Sequence, residues 1–290
     1  MLDVFFISMG EQGSEANWTR LLEFAPTAKH ISNVKGIYQV HETCAKQSTT
    51  ENFWVVDADA WIVDGFDFNF IPSTETGHWD IPENECVLVW NSKNVANELE
   101  YGYGGVKLFP RQPFLESRPW ELDLSTTIGR ASVNMSSISC ETRFNVTPES
   151  AWIGAFRECA KLSSLSMIKS RVNSAKRKER NELEDLSIYI ATQDWTNEKK
   201  ANYRKAQGML IKEKYLKETD IFTYWEAIEK CSERRFIWCT HGWFSNNGKY
   251  TIDGARSGSK YGMRNSDDIE KLNLINDWSW LKKEFKNVNV

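Results

Sequence analysis

Two aspartates one residue apart interrupt the apolar run Phe53–Val63, "FWVVDADAWIV". An unpaired charge is costly to bury. Asp57 and Asp59 therefore either end the strand and face water, or hold something positive. Two carboxylates at this spacing offer hard oxygen ligands to Mg²⁺ or Mn²⁺, cations that keep positions open for phosphate oxygens. The bland alternative is a capped turn, with both carboxylates bonding local backbone N–H groups.

Further groups with chemical potential lie downstream. His241 closes the short apolar run 236–241, "FIWCTH", which reads as a strand, and glycines follow at 242, 248, 254, 258 and 262. Lys249, Arg256 and Lys260 stand among those glycines, as in a cationic loop. Imidazole suits Mn²⁺ better than Mg²⁺. In "EYGYGGVKLFPR", Gly104 and Gly105 permit close backbone approach to a ligand, and Tyr101 and Tyr103 offer rings for stacking. Thr147-Pro148-Glu149 is a helix start: a capping Thr, Pro at the first position and an acid near the positive dipole end. Arg157 and Glu158 follow two turns on, while His30, His41 and His78 have no comparable setting and read as structural.

The elements that must position these groups follow from periodicity. Leu2–Met9 is a short apolar run, hence a buried strand. Ser14 is placed to cap a helix from Glu15 to about Phe24, stopped by Pro26. His30–Val34 is a second strand, Ile37–Lys46 a second helix, and Phe53–Val56 a third strand. This alternation predicts an α/β fold with a mostly parallel sheet and helical crossovers. Ligands in such sheets sit outside the carboxyl ends of the strands, where Asp57 and Asp59 lie. Residues 65–145 read as β and loop, with a strand at Val87–Trp90, and a helix covers "ESAWIGAFRECAKL".

Residues 169–217 carry 13 Lys/Arg against 7 Asp/Glu, a net of +6, which leaves the remainder at −10. They read as a basic helical insertion, suited to an anionic partner such as nucleic acid or simply to a solvated face. The chain divides into a core over 1–168, the insertion over 169–220, and a C-terminal part of the same domain over 221–290. The six Cys form no Cys-x-x-Cys, so neither a zinc site nor a disulfide framework is expected. No run approaches the ~20 apolar residues of a membrane span, and the acidic N-terminus does not read as a signal peptide. A cytoplasmic protein is expected. Thirteen Trp invite stacking on sugars or bases, although most read as core.

On "VVDADAW" at the end of a third strand, Leu2–Val63 resembles the nucleotide-binding half of a GT-A-type glycosyltransferase. The resemblance implies a GT-A-like fold in which the first strands cradle the nucleotide, with Ser8, Asn33, Lys46 and Asp57 at the donor. It implies Asp57, Asp59 and His241 as ligands of Mn²⁺ (or Mg²⁺). Lys249, Arg256 and Lys260 would then lie over the diphosphate of a nucleotide sugar such as a UDP-sugar. Glu149 becomes the general base of an inverting reaction, and Tyr101, Tyr103, Gly104, Gly105 and Arg157 the acceptor contacts. "EYGYGGVKLFPR" and "TPESAWIGAFRECAKL" further resemble proteins of T-even-like phages and cyanophages, some of whose relatives decorate modified pyrimidines in phage DNA. That implies 5-hydroxymethylpyrimidine, such as hydroxymethylcytosine, as acceptor, DNA held by 169–217, and the host cytoplasm as location.

Other readings remain open. A glycan acceptor keeps the transferase, and a degenerate fold could bind glycan or nucleic acid without chemistry. A sugar-phosphate nucleotidyltransferase fits less well, because "SMGEQGSEAN" lacks the cation that such enzymes carry in the loop after the first strand.

Overall fold

The computed structural model describes residues 1–75, 81–102, 105–116, 130, 132–165 and 231–289, with positions 124, 128, 196 and 229. The basic segment 169–217, Tyr103, Gly104 and His78 therefore lie outside the described residues, apart from position 196.

The chain opens with β1 (Asp3–Ser8), α1 (Ser14–Phe24), β2 (Lys29–Ser32), α2 (Ile37–Gln47) and β3 (Asn52–Asp57). β1 pairs with both β2 and β3 in parallel. Then come β4 (Ala60–Ile62), β5 (Val87–Asn94), β6 (Glu100–Tyr101), β7 (Val106–Pro110), the short α3 (Gln112–Leu115) and β8 (Ser132–Thr142). The described strands form one mixed sheet in the order β2-β1-β3-β7-β5-β8-β4, with β6 added to β5. β7 runs antiparallel to β3 and β5, β8 runs parallel to β5, and β4 returns antiparallel to β8.

Side chains alternate across a strand, and both faces of β3 are covered. Trp54 and Val56 pack with Phe6, Leu88, Trp90 and Leu21 of α1. Phe53 and Val55 pack on the other face with Phe5, Phe109, and Val40 and Cys44 of α2. Burial on both faces explains why the strand reads as a continuous apolar run. α1 and α2 cover opposite faces, so the connections diverge from β1, and the carboxyl ends of β1 and β3 form the sheet edge where α/β folds generally take ligands. Ser14 is the first residue of α1 rather than its cap, and the chain turns into the helix through Gly13 at φ 91°.

The second half packs helix on helix. α4 (Pro148–Ser164) starts as its sequence requires: Thr147 Oγ1 accepts from Ser150 N at 3.2 Å, and Ser150 Oγ accepts from Thr147 N at 3.0 Å. Residues 231–240 are helical (α5), followed by α6 (Gly248–Arg264), α7 (Ile269–Asn273) and α8 (Trp278–Asn289). Two expectations are corrected here. "FIWCTH" is the end of helix α5 rather than a strand: Trp238 is buried against Ala155 and Ala255 while Phe236 is exposed. The supposed cationic loop is helix α6. Its Gly254, Gly258 and Gly262 face the backbone of Trp152, Phe156 and Ala160, where an added Cβ would meet carbonyl oxygens at 2.1–2.3 Å. Four-residue spacing places these glycines on one face, and their lack of side chains lets α6 lie directly on α4.

Gly258→Val is expected to force these helices apart and to cost about 2–3 kcal/mol, the usual scale of overpacking. The exposed Arg256→Ala on the same helix should stay within about 0.5 kcal/mol. Urea unfolding of the two variants checks the contrast.

Candidate functional site

Three elements fix the backbone of the Asp57-Ala58-Asp59 turn. Asp57 N donates to Gly105 O at 2.7 Å, and Arg143 N donates to Asp59 O at 2.7 Å. Asn17, buried on the inner face of α1, donates through Nδ2 to Ala58 O at 2.7 Å. Gly105 is required by closeness: a Cβ there would lie 2.7 Å from the Cβ of Ala60. One N–H and two carbonyls of the turn are thus bonded by residues far off in the sequence.

Asp57 Oδ2 accepts from Lys107 Nζ at 3.0 Å. Lys107 sits on β7 opposite Val55, so it emerges on the same sheet face as Asp57. Asp59 has a different environment. Burial pushes its carboxyl up to about 7, the charge of Asp57 adds to this, Lys107 opposes it, Glu11 raises it further, and Arg157 opposes. Asp57 and Asp59 thus bring two carboxyl groups to one strand end. That donor set suits a hard divalent cation, which takes oxygen ligands; Asp57 and Asp59 are the residues that would hold it. Among the described residues, no three His, Cys, Asp or Glu side chains converge as a metal-holding group. His241 accordingly does not join the pair. It is exposed, just past the end of α5, because the run before it is a helix and not a strand aimed at the sheet edge.

Ser8 and Asn33 lie at the carboxyl ends of β1 and β2, the same edge as Asp57. Ser8 Oγ is 2.8 Å from His30 Nε2, and Asn33, at φ 59°, donates its N–H to Ser8 O at 2.9 Å. Lys46 is at the opposite end of the sheet. It occupies the last turn of α2, leading into the start of β3, and pairs with Glu42 at 2.9 Å. A helical crossover carries the chain back to the other edge, so Lys46 cannot share a crevice with Asp57. Lys249, Arg256 and Lys260 are all exposed. On α6 they fall on the face opposite Gly254, Gly258 and Gly262, which turns the expected diphosphate loop into a solvent-facing cationic stripe.

Of the residues expected at the acceptor and as general base, Arg157 and Glu149 lie on α4, and Tyr101 ends β6. Arg157 Nε donates to Ile275 O at 3.0 Å, and its charge acts on Asp59 and Asp57. Glu149 lies in the first turn of α4, with Lys282 of α8 at 3.9 Å. Tyr101 carries the Arg234 guanidinium 4.7 Å from its ring centre, so one ring face is already covered. Arg234 also reaches Glu158 at 3.2 Å.

Sequence reasoning passed over Glu11, Asn17, Lys107, Arg143 and Arg234. Two of them left a trace. Lys107 is the one charge in an otherwise apolar strand, "VKLFP", and Asn17 falls one turn before Leu21 on the apolar face of α1. No protein-family model matches the chain, and a search of curated proteins finds no match. No helix among the described residues is long and apolar enough to cross a membrane.

The carboxyl of Asp59 titrates higher in the folded chain than its ordinary value of 3.8. Its contribution to stability is therefore full below about pH 4 and is lost as pH rises through about 7. In EDTA, Asp59→Asn should raise the melting temperature at pH 8, and the gain should vanish towards pH 4. Melting curves across that range check both the sign and the window.

Proposed function

We propose that the chain is a metal-dependent glycosyltransferase of the GT-A type, moving a sugar from a nucleotide-diphosphate sugar, a UDP-sugar first, to a hydroxyl acceptor. The observation that carries the reading is the Asp57-Ala58-Asp59 turn. It stands at the carboxyl end of β3, beside the ends of β1 and β2, with its backbone held by Gly105, Asn17 and Arg143. An acidic pair so placed faces the crevice where an α/β sheet takes its ligands.

The chain's own residues then divide the work. The carboxyl ends of β1 and β2, with Ser8 and Asn33, line the nucleotide side. Asp57 and Asp59 hold the divalent cation, which when bound neutralises charge on the departing diphosphate. Arg157, fixed through Ile275 O, adds a positive charge on the α4 side of the acidic pair. Glu149 removes the acceptor proton in an inverting reaction. Much of the acceleration comes from holding donor and acceptor in reacting geometry. The acceptor to test first is 5-hydroxymethylpyrimidine in DNA, since residues 169–217 carry a net charge of +6 and phosphate contacts make binding salt-dependent.

A second reading, a binding module without chemistry, is favoured by one observation: Lys107 already neutralises Asp57. The two readings separate on nucleotide release from UDP-, GDP- and dTDP-sugars, with Mn²⁺ or EDTA, and with or without hydroxymethylcytosine DNA. The expected result is Mn²⁺-dependent release from one donor, stimulated by the modified DNA. Asp57→Ala/Asp59→Ala should reduce it at least about hundredfold, and Glu149→Gln should lower kcat about hundredfold with the fold intact. Release from no donor, with no Mn²⁺-dependent thermal shift by UDP or GDP, rules out the transferase.

A further inference from the structure

Lys107 is the one charged residue of β7, and Val106, Leu108 and Phe109 beside it are buried. Its Nζ is 3.0 Å from Asp57 Oδ2, with only 22% of the lysine side chain and 33% of the aspartate exposed. A pair this sheltered is screened far less than a surface pair. A divalent ion arriving at Asp57 must therefore either displace the ammonium or sit beside a like charge.

Lysine is suited to being displaced. It is a point charge on a flexible four-carbon stem with three rotatable donors, unlike the rigid fork of arginine. Once off Asp57, it needs a new anion within reach of the strand end. We propose that Lys107 is a resident counter-ion. It holds Asp57 in the ligand-free protein, then moves to a phosphate oxygen of the nucleotide when Asp57 takes up a divalent cation, so that cation and nucleotide bind cooperatively. This rests on the reading of Asp57 and Asp59 as a cation and nucleotide-diphosphate site. No bond is made or broken in the exchange, and one ion pair replaces another. Lys107 acts through Asp57 and the phosphate, which makes it a positioning residue.

Mn²⁺ titration of the full chain, read by the electron paramagnetic resonance of free Mn²⁺ with and without UDP, tests the exchange without reference to turnover. In the unaltered protein, UDP should tighten Mn²⁺ binding about tenfold or more, and Mn²⁺ should tighten UDP by the same factor. Lys107→Met, without UDP, should bind Mn²⁺ about tenfold more tightly than the unaltered protein, and the factor by which UDP tightens Mn²⁺ should shrink by about the same tenfold. Lys107→Arg keeps the charge and should keep the weak Mn²⁺ affinity of the UDP-free state. Lys107→Gln serves in the same way if the methionine variant does not fold. If the unaltered protein binds Mn²⁺ with UDP but the uncharged variants bind Mn²⁺ no more tightly, the counter-ion role is overturned and the nucleotide site stands. If neither the unaltered protein nor the variants bind Mn²⁺ at any UDP concentration, the site itself falls, and the exchange with it.

Discussion

Trp54, Val55 and Val56 are fully buried, and the next residue is a carboxylate. That abrupt passage from core to charge constrains everything around it. A strand covered on both faces can carry ionised groups only where it leaves the sheet, and the chain leaves at Asp57. Elements far off in the sequence bond this turn's backbone: Gly105 O accepts from Asp57 N, Asn17 donates to Ala58 O and Arg143 N donates to Asp59 O. Of the two carboxylates, Asp57 is paired with Lys107, and burial pushes Asp59 up to about 7. Local conflict of this kind, set within an otherwise consistent fold, is expected where a site has been built.

The helical half depends on a different constraint, the approach of α6 to α4. With Gly254, Gly258 and Gly262 against its backbone, α4 is backed along its length by another helix axis rather than by long side chains. Arg157 then fastens the same helix to Ile275.

Much of the first sixty residues was legible because apolar period and punctuation agree there. Phe53–Val56 is a run, Pro26 and Gly36 are stops, and the strand end at Asp57 follows. The legible part ends where one local signal has two physical sources. Glycines mark loops, but three of them four residues apart also mark a helix face against a backbone, and 248–264 is the second case. "FIWCTH" is too short for periodicity to decide between strand and helix. Lys46 illustrates a further limit: its charge is visible in the sequence, but which edge of the sheet it occupies depends on the direction of α2. Lys107 could not be paired with Asp57 in advance, because the partnership runs across two antiparallel strands fifty residues apart.

The sheet order explains why these groups meet. β2, β1 and β3 run in parallel, so their ends and the loops that follow share one edge. β7 beside them runs the other way, which brings its beginning, Gly105 and Val106, to that same edge. A parallel neighbour would have presented its own end and an outgoing crossover helix. The antiparallel strand instead presents its start, where Gly105 O accepts from Asp57 N, and, two residues on, a lysine on the face of Asp57. The reversal of strand direction at β3 and β7 therefore supplies both the hydrogen bond that shapes the acidic turn and the cation that balances it. Of the two charges in that balance, the lysine is the adjustable one, a flexible side chain on a fixed strand.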